Sequence, residues 1–208
     1  DEQDRVVRID FAGGVRQSRS YDLVGRLAEI RESDNALTYA YDEVDRVVRE
    51  STESALGRTD VGYEYDALDR RTKRSVTVNG ALAEETIYGY DDAGRLTSQT
   101  YRAPGVGVSS PRSVAYLWDD GNRLTQKTLP NAIKQVFVYD GANRVTSIQY
   151  RNPDDSVIET VAYTYDAAGQ RLTKTTGSAS VPETALSAQY DEANRMTSES
   201  IYRHRSYA

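Results

Sequence analysis

The chain has 208 residues, 38% of them hydrophobic and 28% charged, with a formal net charge of -6 and a pI near 5.0. It contains no cysteine and one histidine, His204, which excludes disulfides, thiolate nucleophiles, Cys-based zinc sites and most His-centred catalysis. The acidic balance argues against a nucleic-acid or anionic-membrane surface. The longest uncharged stretches, residues 75–83 and 103–111, fall far short of the roughly 20 apolar residues of a spanning helix, so no membrane span is expected.

Tyrosine is the anomaly, with 16 copies against 2 Phe and 1 Trp. Read in chain order, an aromatic followed by Asp recurs at Tyr21-Asp22, Tyr41-Asp42, Tyr65-Asp66, Tyr90-Asp91, Trp118-Asp119, Tyr139-Asp140, Tyr165-Asp166 and Tyr190-Asp191. Each pair leads, four residues after the aromatic, to a Gly, Asn or Asp and then to a polar residue that is nearly always Arg. These are Gly25-Arg26, Asp45-Arg46, Asp69-Arg70, Gly94-Arg95, Asn122-Arg123, Asn143-Arg144, Gly169-Gln170 and Asn194-Arg195. An aliphatic follows in most copies; the third has Arg71, and the seventh reads as shifted by one, to Gln170-Arg171-Leu172. Residues 1–6 fit the same template without its aromatic, so the sequence reads as beginning inside a repeat.

Two residues before most anchors stands another aromatic: Tyr39, Tyr63, Tyr88, Tyr116, Phe137 and Tyr163. Residues two apart share one face of a strand, and Leu37, Val61, Val114, Val161 and Leu186 extend that face. Each copy therefore ends a half-buried strand. Gly, Asn and Asp are the residues that best tolerate the left-handed conformation, so the motif predicts a type I turn closed by a bulge, with Asp accepting backbone N–H groups. Alternation resumes afterwards, as at Val7, Ile9 and Phe11, at Ala28 and Ile30, and at Thr146, Ile148 and Tyr150. Between repeats the turn signals are Asn79-Gly80, Pro104-Gly105-Val106-Gly107, Asn152-Pro153-Asp154, and Thr176-Gly177-Ser178 to Pro182. Eight turns imply roughly 16 short strands in one repeat array over residues 1–208, enough for an open sheet to curl. Aromatics of neighbouring hairpins are expected to stand beside one another in ladders.

The motif Tyr-Asp-x-x-Gly-Arg-Leu, as in residues 21–27 and 90–96, resembles the YD repeat of the RHS family over residues 1–196. That family includes bacterial RHS proteins, shell-forming parts of insecticidal toxin complexes, wall-associated proteins and the animal teneurins. The resemblance implies an all-β fold of antiparallel hairpins forming a curved strip, or part of a spiralling β-shell, as a segment of a longer protein. It also implies partners: the remaining repeats of a parent shell, or an enclosed polypeptide such as a C-terminal toxin. No Asp-rich self-cleaving segment is visible in the sequence, so a protease or toxin role is not carried over.

Repeated Asp and Arg read as turn-bracing or inter-repeat groups, because a catalytic pair occurs once and not eight times. The aspartate pairs at Asp91-Asp92, Asp119-Asp120 and Asp154-Asp155 lack the alternating ligands of a calcium loop, and His204 between two arginines reads as a terminal residue. No catalytic residue, cofactor or metal is expected. The leading expectation is a structural, non-catalytic shell segment, secreted or at the cell surface and able to self-associate. The alternative is an extracellular module that binds glycan or a cell-surface protein through tyrosine-lined or loop surfaces.

Overall fold

The period-two pattern becomes strand throughout the computed structural model, which describes every residue except 1, 2, 4, 13, 15, 105–110, 179, 180, 192, 194 and 204–208. The side chains of residues 181–183 and 202–203 also lie outside the description. The described residues form 17 strands and no helix. In chain order these are β1 (Arg8–Asp10), β2 (Arg16–Tyr21), β3 (Leu27–Glu32), β4 (Asn35–Tyr41), β5 (Val47–Ser54), β6 (Gly57–Tyr65), β7 (Arg71–Val78), β8 (Ala81–Tyr90) and β9 (Leu96–Arg102). They are followed by β10 (Arg112–Trp118), β11 (Leu124–Thr128), β12 (Lys134–Tyr139), β13 (Val145–Arg151), β14 (Val157–Tyr165), β15 (Arg171–Ser178), β16 (Val181–Tyr190) and β17 (Met196–Arg203). Eight motif turns supply β2 to β17, and the truncated first copy returns into β1.

The chain divides into two compact units, Asp1–Tyr90 with Gln99–Arg112, and Asp91–Ser98 with Ser113–Ala208. In the first unit β1 to β8 pair antiparallel, each with its neighbour in sequence. In the second, β10 to β17 do the same. Among the described residues of each unit, a strand touches the strands before and after it and no other. Among the described residues no second layer covers either face and no side chain is fully buried. The buried apolar residues are three alanines, Ala36, Ala103 and Ala188. The sheet is held by its own surface.

Every motif hairpin with a resolved register carries the same irregularity after its turn. Tyr21 pairs with Leu27 but Ser20 with Glu29, which leaves Ala28 as an extra residue; Val48, Thr72, Thr125, Thr146, Leu172 and Thr197 hold the same place in later copies. The bulge interrupts the predicted alternation at Ala28 and Thr146. It also bends the returning strand and raises local twist.

Other expectations shift as well. In the seventh copy Tyr165 pairs with Arg171, as Tyr21 pairs with Leu27, so the backbone has not slipped. Gln170 fills the arginine place and Arg171 the aliphatic one, as Arg71 does in the third copy. Thr176-Gly177-Ser178 lies within β15 and Pro182 within β16, because cross-strand pairing of Thr176 with Thr184 and of Ser178 with Val181 overrides the turn chemistry of those residues. Val7 and Phe11 fall outside the three-residue β1 and are exposed.

The connecting edge opposite the motif turns uses shorter devices. Asn79-Gly80 forms the predicted two-residue hairpin, with φ of 50° and 81°, between paired Val78 and Ala81. Asn79 also ties that turn to its neighbour, its Oδ1 accepting the backbone N–H of Arg58 at 2.9 Å. Its side chain occupies the space beside Gly57, where a Cβ would come within 2.4 Å of Asn79 Oδ1 at a φ of 121°. Gly57→Ala is therefore expected to lower stability by about 2 kcal/mol or more, adding displacement of Asn79 to the backbone cost. Gly80→Ala, with nothing within 4 Å, should lose about 1–2 kcal/mol. Urea unfolding of the two variants side by side checks the order.

Candidate functional site

The residues that recur are brought together at one edge of each unit, where the motif turns lie in a row. Each turn whose residues are all described is closed twice by its backbone. In the first copy Gly25 N donates to Asp22 O at 3.0 Å and Asp22 N to Arg26 O at 2.8 Å. The residue at the fourth place takes positive φ in every described copy: Gly25, Asp45, Asp69, Gly94, Asn122, Asn143 and Gly169. Asn194 lies outside the described residues. The Asp side chain completes the loop. Asp22 Oδ1 accepts the N–H of Val24 and of Arg26, and Asp42, Asp66, Asp119, Asp140 and Asp191 repeat the pair of bonds.

The other carboxylate oxygen holds the arginine. Arg26 Nε donates to Asp22 Oδ2 at 2.7 Å, and Arg46, Arg70, Arg95, Arg123, Arg144 and Arg195 make the equivalent bond to Asp42, Asp66, Asp91, Asp119, Asp140 and Asp191 at 2.7–2.8 Å. With Nε fixed, the guanidinium points towards the next repeat. There Arg26 Nη1 reaches Asp45 Oδ1 at 2.5 Å, Arg46 reaches Asp69 at 2.5 Å, Arg95 reaches Asn122 at 3.0 Å and Arg123 reaches Asn143 at 2.9 Å. Arg144 bonds the carbonyl of Asp166 at 2.9 Å. Where the fourth-place residue is Asp or Asn it thus has two tasks, taking the left-handed conformation and accepting from the preceding arginine.

The anchor aromatic receives the same arginine over its ring. Arg5 stands 4.5 Å from the centre of Tyr21, Arg26 4.6 Å from Tyr41, Arg46 4.8 Å from Tyr65, Arg70 4.7 Å from Tyr90, Arg123 5.0 Å from Tyr139 and Arg144 4.9 Å from Tyr165. These are cation–π distances. At the far end of each ring the polar atom donates to a carbonyl of the preceding hairpin. Tyr21 bonds Val6, Tyr41 Leu27, Tyr65 Val47, Tyr90 Arg71, Tyr139 Leu124, Tyr165 Val145 and Tyr190 Arg171, all at 2.7–3.1 Å. Trp118 does the same with its indole Nε1, at 2.8 Å from Leu96 O. All eight anchors are half-buried.

This arrangement corrects the expected aromatic ladders. Anchors sit on alternate strands, so successive rings are two strand spacings apart, roughly 9.5 Å, and an arginine fills the interval. It also explains the preference for Tyr over Phe, since a donor is needed at the ring's tip. The Arg195 side chain is 79% exposed, against 25–34% for Arg26, Arg46, Arg70, Arg95, Arg123 and Arg144.

Seven of the turn carboxylates are held as anions. Asp91, Asp119, Asp140 and Asp191 titrate below the ordinary Asp value, chiefly because the backbone N–H of the following arginine donates to the charged form, with its guanidinium assisting and partial desolvation opposing. For Asp22, Asp42 and Asp66 desolvation is the largest single influence and acts upward, yet the guanidinium and two N–H donors together outweigh it. None of these groups is poised as an acid or base near neutral pH. Among the described residues no cluster of three or more potential metal ligands occurs. Asp154 Oδ1 is taken by Ser156 and Asp155 Oδ1 by Lys134 Nζ. His204 lies outside the described residues.

Outside the motif the two sheet faces of the first unit differ. One carries the tyrosines with Glu50, which accepts from Tyr63 Oη at 3.1 Å, and Arg74, which pairs with Glu84. The other carries Asp60, which Arg58 and Ser51 hold down at about 2 by hydrogen bonds to its carboxylate. The sequence reading passed over these groups because they stand outside the repeat and meet only through strand register.

No family model matches the chain. Solved structures do. Among them are the crystal structures of TcdB2-TccC3-Cdc42, with a TM-score of 0.66 and 16% identity over 96% of this chain and 12% of that one, and of TcdB2-TccC3, at 0.65 and 16% over 96% and 13%. TcdB2-TccC3 without its hypervariable C-terminal region gives 0.55 and 16% over 96% and 12%. The chain shares their fold and spans about an eighth of their length.

Two measurements test the tie between repeats. Tyr65→Phe strands the Val47 carbonyl and is expected to lower stability by about 1 kcal/mol, whereas Tyr65→Trp, which restores a donor as Trp118 does, should recover part of it in the same urea titration. The second is acid unfolding. The folded-state pKa values lie below the unfolded value near ~3.9, so the carboxylates stabilise the fold above that value and the contribution is lost as pH falls through the folded values. The urea midpoint should be level from about pH 7 to about pH 5 and drop below about pH 4; Arg46→Gln should flatten that drop more than Arg195→Gln.

Proposed function

We propose that the chain is a structural, non-catalytic wall segment of an RHS-type β-shell, one repeat array that scaffolds or encloses a polypeptide such as a C-terminal toxin. The observation that carries this reading is the Asp–Arg–aromatic tie. It engages nearly every recurring polar group in joining one hairpin to the next, a chemistry that extends a wall and leaves no repeated group to act on a substrate. The shared fold with the TcdB2-TccC3 structures supports the reading, as does the thinness of each unit. An enclosing wall needs two accessible faces and little core, and the chain exposes 14024 Å², against about 9,700 Å² for a compact protein of its mass. A secreted or cell-surface setting fits a cysteine-free β-repeat of this type.

The binding-module alternative loses its most attractive ligand surface at the anchors, because each capped ring has a guanidinium on it and its polar atom on a carbonyl. It keeps the loops and the second row of aromatics. The discriminating experiment is X-ray scattering with in-line light scattering, followed by a glycan array on the same sample. A wall segment is expected to associate, or to give a radius of gyration above the ~17 Å of a compact 208-residue domain, and to leave the array blank. A compact monomer with a saturable glycan ligand would overturn the proposal.

A further inference from the structure

The tie between hairpins changes its chemistry at one place. Seven of the eight complete copies carry Arg five residues after the anchor aromatic, and the seventh copy carries Gln170. The groups that hold the guanidinium elsewhere are present there too, in the same setting. Asp166 Oδ1 accepts the backbone N–H of Gln170 at 2.8 Å, as Asp22 Oδ1 accepts that of Arg26 at 2.9 Å. The turn is closed in the usual way, with Gly169 N donating to Asp166 O at 3.1 Å. Opposite this carboxylate stands the next anchor, Tyr190, whose hydroxyl donates to Arg171 O at 3.1 Å.

The two groups differ from their counterparts in having no cation between them. Among the described residues nothing donates to Asp166 Oδ2, the oxygen that takes the arginine Nε at 2.7 Å in Asp22 and Asp140. Among the same residues no Lys or Arg, Arg171 included, stands over the Tyr190 ring, whereas a guanidinium lies 4.5–5.0 Å from the centres of Tyr21, Tyr41, Tyr65, Tyr90, Tyr139 and Tyr165. Gln170 cannot supply one. Its side chain ends at the position of the arginine Nε, and its amide is neutral.

We propose that Asp166 and Tyr190 form a binding site for a guanidinium group brought from outside the tie, either as free arginine or as an arginine side chain of another polypeptide. The other copies select this occupant, because the same carboxylate oxygen and the same ring face hold a guanidinium in each of six repeats. A planar cation can donate to the carboxylate in its plane while its flat face covers the ring; a compact ammonium has no such face. The site is also prepared. The ties on either side are complete, with Arg144 donating to Asp166 O at 2.9 Å and Arg195 Nε to Asp191 Oδ2 at 2.8 Å, so binding requires little ordering of the protein. Access is along the turn edge, where Arg123 and Arg144 of the preceding copies are themselves partly exposed.

The probes are arginine blocked as its N-acetyl methylamide, the equally blocked citrulline, which has the same shape without the charge, and blocked lysine. Binding is read by saturation-transfer difference NMR on the intact chain and on the variant Q170R. That variant carries the residue found in the other seven copies, so its β-sheet spectrum should match the parent and its urea midpoint should equal or exceed it. Blocked arginine is expected to bind the parent with a dissociation constant of the order of millimolar, as one charged hydrogen bond and one ring contact allow. Q170R, whose own guanidinium takes the site, should bind it about tenfold more weakly or worse. D166N, which still caps the turn, should show a similar loss, and the citrulline and lysine forms should bind the parent far less. Competition by free arginine separates the sources: displacement at equal concentration means that the site takes the amino acid, and displacement by the blocked form alone that it takes a side chain within a polypeptide. Either keeps the proposal. Equal binding of blocked arginine to parent and Q170R would overturn it, and so would parent binding of the citrulline or lysine form as tight as that of arginine.

Discussion

A sheet with nothing packed on it must satisfy its own side chains, and in this chain the guanidinium of one residue per repeat makes that possible. Arginine is fixed at Nε by the Asp of its own turn, lies over the aromatic ring of the next hairpin, and donates onward to that hairpin's turn. Lysine could supply the charge but not the planar fork that does all three at once. That geometry gives a reason for 22 Arg against 4 Lys. Where lysine does join successive turns, at Lys134, its ammonium reaches only Asp155 and the carbonyl of Pro153, and no ring is involved.

The energetic consequence is a fold of many small, equivalent contributions. Exposed ion pairs are individually weak, but Arg26, Arg46, Arg70, Arg95, Arg123 and Arg144 are two-thirds to three-quarters shielded, and each anchor ring is oriented by a hydrogen bond to a backbone carbonyl. Every element of the tie holds another in place, so the entropy cost of ordering a long side chain is shared among several contacts. A repeat array with only nearest-neighbour contacts gains stability unit by unit, which is why a missing guanidinium at Gln170 is tolerated: Tyr190 still bonds the Arg171 carbonyl and Gly169 still closes its turn.

Much of this was legible in the chain itself. The left-handed residue, the Asp cap and the hairpin follow from the conformational limits of Gly, Asn and Asp and from the reach of a carboxylate to nearby N–H groups, all local properties. The direction of each arginine and the acceptor of each tyrosine hydroxyl were not legible, since both depend on register between strands, joining residues 14 to 27 apart in sequence. The bulge after each turn left only a faint signal, Thr at four of its seven places, and it upset the expected alternation. The apparent slip in the seventh copy arose from weighting the arginine above the turn. Once Gly169 is fixed by its positive φ, the register has no freedom to move, and Arg171 must occupy the aliphatic place.

Repetition also gives the chain internal controls. Eight copies of one turn define what the fold demands, and any side chain that departs from that demand in a contiguous run calls for another cause. The carboxylates, arginines and aromatics vary little because each has three partners. The outer corners of the turns take no part in that tie, and there the first three copies carry Val24, Val44 and Leu68 where the other five carry Ala or Gly. The turns of Val44 and Ala142 close with the same bonds, so the turn itself has no need of the larger side chain.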